Sequence, residues 1–261
     1  MVSPNDSQPA STIVPEPAPR SVGGASGDFV DEGGPAPAAG SETWPWVLTL
    51  AVGLAAGLIA WACGEAARIP EIAVGGRGGG ARTLPDVIAT RNAVVSFGIL
   101  GAALGMGLGL AGGLIRRSVL STVLAATIGL VLGGLSGAGV SWLTLPVYYK
   151  HRTSNDLTYS LLVHAGTWMA IGAAAGLAFG FGRGEWGRML RCLLGAAASA
   201  MLATVIYELA GMMLFPFALT DRPLSNTWQT RLLARVLVAV MVAAGAFVCG
   251  SRAADGRAGK P

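Results

Sequence analysis

Two ionisable residues, His164 and Glu208, stand inside long apolar segments, and their types could do chemistry together. An imidazole beside a carboxylate can hold, share or pass a proton. An ionisable group within a membrane span is by default a functional candidate. The two residues are equidistant from Trp186, near the turn of the hairpin that their segments would form. Helical rise per residue is constant, so equal distances from a turn give equal depth in antiparallel helices. The spacing therefore permits a His164–Glu208 contact, as an intramembrane proton or ion site or as a structural hydrogen bond between helices. Such a contact would offset part of the cost of a carboxylate in hydrocarbon, about 3 kcal/mol on insertion scales.

A serine beside a histidine base is the arrangement that nucleophilic catalysis needs. Ser136 and His164 are equidistant from Lys150 and could also share a depth. Gly134-Leu135-Ser136-Gly137 is similar to the GxSG pattern around the nucleophile of rhomboid intramembrane proteases, which have a six-helix core. The resemblance covers four residues and implies an intramembrane serine hydrolase with Ser136 as nucleophile and His164 as base. The chain departs from that family at Thr167, where the family has glycine three residues after its histidine. The family's histidine-and-asparagine pattern for the oxyanion is missing too.

Other motifs point away from enzymes. Gly107-x-Gly109-x-x-Gly112 spells a dinucleotide fingerprint, but in the middle of an apolar run instead of between a strand and a helix. The Gly75–Gly80 loop lacks the Lys-Ser/Thr pair of a phosphate-binding loop. There is no HExxH or CxxC, and the three cysteines are an odd number beside apolar runs. No catalytic residue, metal site or cofactor is expected.

These residues must be positioned by membrane helices. The chain is 52% hydrophobic and 12% charged, whereas a soluble domain carries about 25% charged residues. Six apolar runs approach or exceed the ~20 residues needed to cross a bilayer. They run from Trp46 to Cys63, Ala93 to Ile115, Ser118 to about Val147, Leu157 to Phe181, Met189 to Phe217 and Leu232 to Gly250. Arg235, inside the sixth, is expected to snorkel to the interface. Trp44, Trp46, Trp61, Trp142, Tyr148, Tyr149 and Trp228 near the run ends read as an aromatic belt. The fold class is an all-α, polytopic membrane helical bundle of about six transmembrane helices over residues 44–250. Residues 1–43, rich in Pro, Ser, Gly and acid, read as a disordered tail without a secretory signal. Residues 251–261 form a short basic tail.

Two of the runs carry glycine at every fourth position: Gly101, Gly105, Gly109 and Gly113, then Gly172, Gly176, Gly180 and Gly184. Such a stripe is smooth along one helix face and lets backbones approach closely in lipid, a glycine zipper. Laying Gly101 on Gly172 superimposes the stripes and matches Arg117 with Arg188 and Ala125-Ala126 with Ala196-Ala197, without a gap. The expectation is an internal repeat of a two-helix hairpin, 93–147 and 164–217, with parallel copies.

The net charge is +4, split between an acidic tail and a basic remainder. The arginines are scattered over short loops, where anionic headgroups attract them, so the partner is the lipid bilayer and not nucleic acid. Lysine and arginine divide 8 against 9 between the two sides, so the positive-inside rule does not orient the chain. The very short Arg116-Arg117 and Arg183–Arg188 turns favour a cytoplasmic N-terminus. Arginine over lysine with abundant Gly and Ala suggests a bacterial inner membrane. The leading functional expectation is a non-catalytic membrane subunit or scaffold, assembled as a homo-oligomer or with membrane-complex partners. The alternative is a small-solute or proton-coupled transporter or channel using Glu208 and His164, and the minor one is the hydrolase.

Overall fold

The structure, a computed structural model, describes residues 43–70, 84–151, 157–184, 186–218 and 222–251. The expected disordered tail, the glycine-rich loop centred on Gly78 and the basic C-terminus lie outside the described residues.

The chain is an all-α bundle of six helices: α1 (Thr43–Ala66), α2 (Leu84–Arg116), α3 (Val119–His151), α4 (Leu157–Arg183), α5 (Trp186–Leu214) and α6 (Trp228–Ser251). All six are long and apolar enough to cross a membrane. The described residues contain no strand. In hydrocarbon the backbone finds partners only within its own helix, so apolar runs of this length become helices despite their glycines. All six helices run past an expected end. α2 starts at Leu84, well before Ala93, and α3 continues through Pro146 to His151. α5 stops at Leu214, just before Pro216, which disfavours helical backbone in the residue ahead of it.

α1, α2, α4, α5 and α6 close a ring, and α3 flanks α2 and α4. The core holds Leu100, Leu104, Leu108, Trp168, Ile171, Phe179, Val238 and Val242. The outer face is apolar as well, with Leu130, Leu143, Leu202 and Leu209 exposed. An exposed surface of that kind needs lipid around it. Of the expected aromatic belt, Trp44, Trp142 and Trp228 are exposed, whereas Tyr148 is buried.

Glycines bring backbones together at several interfaces. Gly101 faces the carbonyl of Gly133, Gly105 that of Gly129 and Gly109 that of Ala125, all across α2 and α3. A methyl group at any of the three would collide with the facing main chain. Gly172 faces Ala196, Gly176 faces Cys192 and Gly180 faces Met189, across α4 and α5. Gly184 does not belong to this row. It lies beyond the end of α4, exposed, with φ +81°.

Gly184 and Arg117 do the same job in the two hairpins. Both have positive φ, 81° and 58°. Gly184 N–H donates to Phe181 O at 3.0 Å, and Arg117 N–H donates to Leu114 O at 3.0 Å, ending α4 and α2. Ser118 N–H, 3.3 Å from Gly113 O, completes a Schellman turn after α2. Left-handed backbone costs a side chain about 1–2 kcal/mol and glycine almost nothing. Arg117→Gly should therefore raise the melting temperature in detergent, by about 3 °C. Gly184→Ala should lower it comparably; shifts of the opposite sign would show that these turns are not strained.

Candidate functional site

The ends of five helices converge on a polar cluster on the side where α1, α3 and α5 finish. α6 supplies Arg231 and Arg235, which are four residues apart and so share one face. Arg231 grips Glu65 of α1 with both arms. Its Nε donates to Oε1 at 2.6 Å and its Nη2 to Oε2 at 2.7 Å. Its Nη1 donates to Ser225 O at 2.7 Å, which ties down the segment ahead of α6. That segment is fixed further by Thr230, whose hydroxyl meets Ser225 Oγ at 2.5 Å and Thr227 Oγ1 at 2.7 Å.

Arg235 does not reach the interface as expected. It is only 3% exposed. Its guanidinium turns inward, donating to the carbonyl and the hydroxyl of Ser96 on α2, and sits 5.2 Å from the Phe97 ring centroid. Snorkelling is the cheaper course only when no acceptor lies at the charge's own depth. Here a main-chain carbonyl, a hydroxyl and an aromatic face lie within reach. Nearby, Asn92 pairs with Ile69 in both directions, at 3.0 and 2.8 Å, and clamps the chain leaving α1.

The structure brings His164 and Glu208 together: His164 Nδ1 lies 2.8 Å from Glu208 Oε1. His164 is buried, and the Glu208 side chain is 17% exposed. The second ring nitrogen, Nε2, faces Pro223 O at 3.4 Å. A carbonyl only accepts, so Nε2 must carry hydrogen to bond it. The contact with Glu208 likewise needs one proton between the two atoms, carried by Nδ1 or by the carboxyl. Trp168 and Tyr207 enclose the imidazole, with centroids 5.4 and 5.9 Å away.

Between this pair and Arg235 lies a cavity of about 10 Å³, lined by Leu100, His164, Trp168, Tyr207, Leu224 and Arg235 among others. That is about the least volume that holds one water.

Ser136 is placed elsewhere. Its hydroxyl donates to Gly133 O of its own helix at 2.9 Å, while both ring nitrogens of His164 face other groups. The structure does not bring Ser136 and His164 together, because the histidine faces α5 and the chain before α6.

Sequence reasoning missed Glu65, Ser96 and Arg231 as members of a site. In the sequence Glu65 reads as the start of a long loop, but it occupies the last turn of α1. The signal for the other side was present: Arg231 and Arg235 have the spacing of a single helix face. Searches with this chain against protein-family models, curated proteins and solved structures gave no match.

Proposed function

We propose that this chain is a non-catalytic membrane subunit, a helical scaffold stiffened by glycine-zipper packing. The single observation that carries the reading is the close backbone contact along α2–α3, where Gly101, Gly105 and Gly109 leave no room even for a methyl group. Interfaces of this kind have one packed arrangement and no slack for a large sliding motion. The polar cluster fits the same role. Its carboxylates are paired, and the cavity beside His164 is too small for a solute.

The two hairpins are read as an internal repeat. Support comes from the paired turns at Arg117 and Gly184, each with a left-handed backbone. With Arg117 laid on Gly184, Gly105, Gly109 and Gly113 correspond to Gly172, Gly176 and Gly180. Their facing residues Gly129, Ala125 and Thr122 then correspond to Ala196, Cys192 and Met189. The copies would be parallel, related by an axis along the membrane normal. The setting is the inner membrane of a bacterium, with the short arginine-bearing turns and the N-terminus in the cytoplasm and a homo-oligomer or membrane complex as the assembly.

A second reading, a proton-coupled transporter or channel, is favoured by one observation. His164 Nδ1 and Glu208 Oε1 lie 2.8 Å apart, within reach for a proton to pass from one to the other. The discriminating experiment is reconstitution of the purified chain in liposomes loaded with a pH-sensitive dye, under a clamped potential. The scaffold reading expects proton, sodium and potassium fluxes equal to those of protein-free vesicles. A flux above that level that falls in Glu208→Gln would replace the scaffold with the transporter.

A further inference from the structure

A groove opens on the outer face of the bundle where α2 and α4 end and α3 and α5 begin. α3 and α5 each pack on α4 and, among the described residues, do not touch each other. Between them lies a cavity of about 360 Å³, within the ~300–1,000 Å³ of small-ligand sites. Its walls are Leu120 and Leu124 of α3 and Met189 of α5, with Phe181 of α4 between them. Leu120 and Leu124 are exposed, which in a spanning helix means facing lipid. The rim is polar, with Arg116, Ser118 and Trp186. The groove is held in shape by Ser121 on the α3 wall, whose hydroxyl donates to Gly182 O of α4 at 2.9 Å. The Arg116 guanidinium lies so close to Gly184 that a methyl group there would collide with it. Among the described residues no hydrogen bond or ion pair engages that guanidinium. Ser118 Oγ accepts the N–H of Ser121 at 3.4 Å and keeps its own hydrogen to donate.

We propose that this groove binds one anionic phospholipid, with its phosphate on Arg116 and Ser118 and the start of an acyl chain between α3 and α5. The order of the groups is the order that a lipid presents: charge and hydroxyl at the helix ends, apolar walls one turn deeper along α3. Trp186, 85% exposed, stands at the rim, as indoles do at headgroup depth. Free phosphate would meet the arginine and leave the apolar walls uncovered. The local charge selects an acidic headgroup over a zwitterionic one. Residues 116–118 and 183–191 carry five arginines and one carboxylate, Glu185, and basic pockets between membrane helices bind acidic lipids. A built groove differs from the general attraction of loop arginines to a membrane surface, because it holds one molecule in one place. The site is independent of whether the bundle is a scaffold or a transporter.

The test is titration of the purified full chain in detergent with phosphatidylglycerol or phosphatidylcholine, read by native mass spectrometry. One phosphatidylglycerol per chain should bind saturably, about fivefold tighter than phosphatidylcholine. Arg116→Gln should weaken phosphatidylglycerol about tenfold. Arg91→Gln, an equal loss of charge on an exposed residue at the opposite end of α2, should leave it unchanged. Leu124→Trp fills the groove and should weaken both lipids alike. Arg116 and Leu124 are exposed, so both variants should fold as the parent does. Inorganic phosphate should not displace the lipid; displacement would make this an ion site and overturn the proposal. Equal affinity for the two lipids, or a loss in Arg91→Gln as large as in Arg116→Gln, would reduce the effect to general surface charge. Lipid binding unchanged in Leu124→Trp would show that the groove is not the site.

Discussion

Gly105→Ala is expected to destabilise the bundle by about 3 kcal/mol, the upper range for overpacking a tight interior. A Cβ at this position collides with the carbonyl of Gly129, which is main chain and cannot rotate away. α2 and α3 must therefore separate, and the neighbouring contacts Gly101–Gly133 and Gly109–Ala125 loosen with them. Short Cα–H···O contacts of this kind contribute about 0.5–1 kcal/mol each. Gly105→Leu should be worse, and Gly176→Leu should act likewise on α4–α5, where Gly176 faces the Cys192 carbonyl. Controls are built into the chain. A Cβ at Gly139 or Gly166 meets nothing within 4 Å. Alanine there should leave stability unchanged or raise it, since glycine is the poorer helix former. Melting in detergent reads the contrast, with a drop of about 10 °C expected for Gly105→Ala. Equal melting of Gly105→Ala and Gly139→Ala would mean that the two backbones are not in contact.

Arg231→Met is expected to cost about 3 kcal/mol, in the range for removing one partner of a buried ion pair. The loss has two parts. Glu65 keeps its charge with its side chain only 29% exposed, and the Ser225 carbonyl loses its donor. Glu65→Met should cost as much, because it strands Arg231 beside Arg235. The double variant, Arg231→Met with Glu65→Met, should recover most of the combined loss, since two apolar side chains can occupy the space without any charge to desolvate. A double-mutant cycle on chemical or thermal unfolding isolates the coupling. Strictly additive losses would show that the guanidinium and the carboxylate do not act as a pair, and the account of how α1 is fastened to α6 would fail.

Much of the architecture can be read from residue order alone, and the limits of that reading have definite causes. The six runs are legible because length and hydropathy are properties of a segment, not of its neighbours. Equal distances of His164 and Glu208 from Trp186 reveal their common depth for the same reason, since a short turn forces two helices into antiparallel alignment. The register of the proposed repeat illustrates the opposite case. A stripe with glycine every fourth residue looks the same after a slip of one turn, so either Gly101 or Gly105 can be laid on Gly172. The facing residues, Ala196 with Gly172 and Met189 with Gly180, and the turns at Arg117 and Gly184 favour Gly105. Arg188, matched to Arg117 when Gly101 is used, lies inside α5 instead.

Arg235 shows the same limit for charge. Four residues past Arg231 and near a helix end, it carries no mark in the sequence that separates a snorkelling arginine from an inward one. The choice belongs to Ser96 and Phe97, which come far earlier in the chain and meet Arg235 only when α2 and α6 are packed. Residue order determined that this is a helical membrane protein with a particular set of spans, because in hydrocarbon each backbone amide must be satisfied within its own segment. Tertiary packing decided which faces meet, which arginine turns inward and which polar residues form one cluster. Those outcomes depend on the depth and rotation of one helix against another, and they are fixed by contacts between segments far apart in the chain.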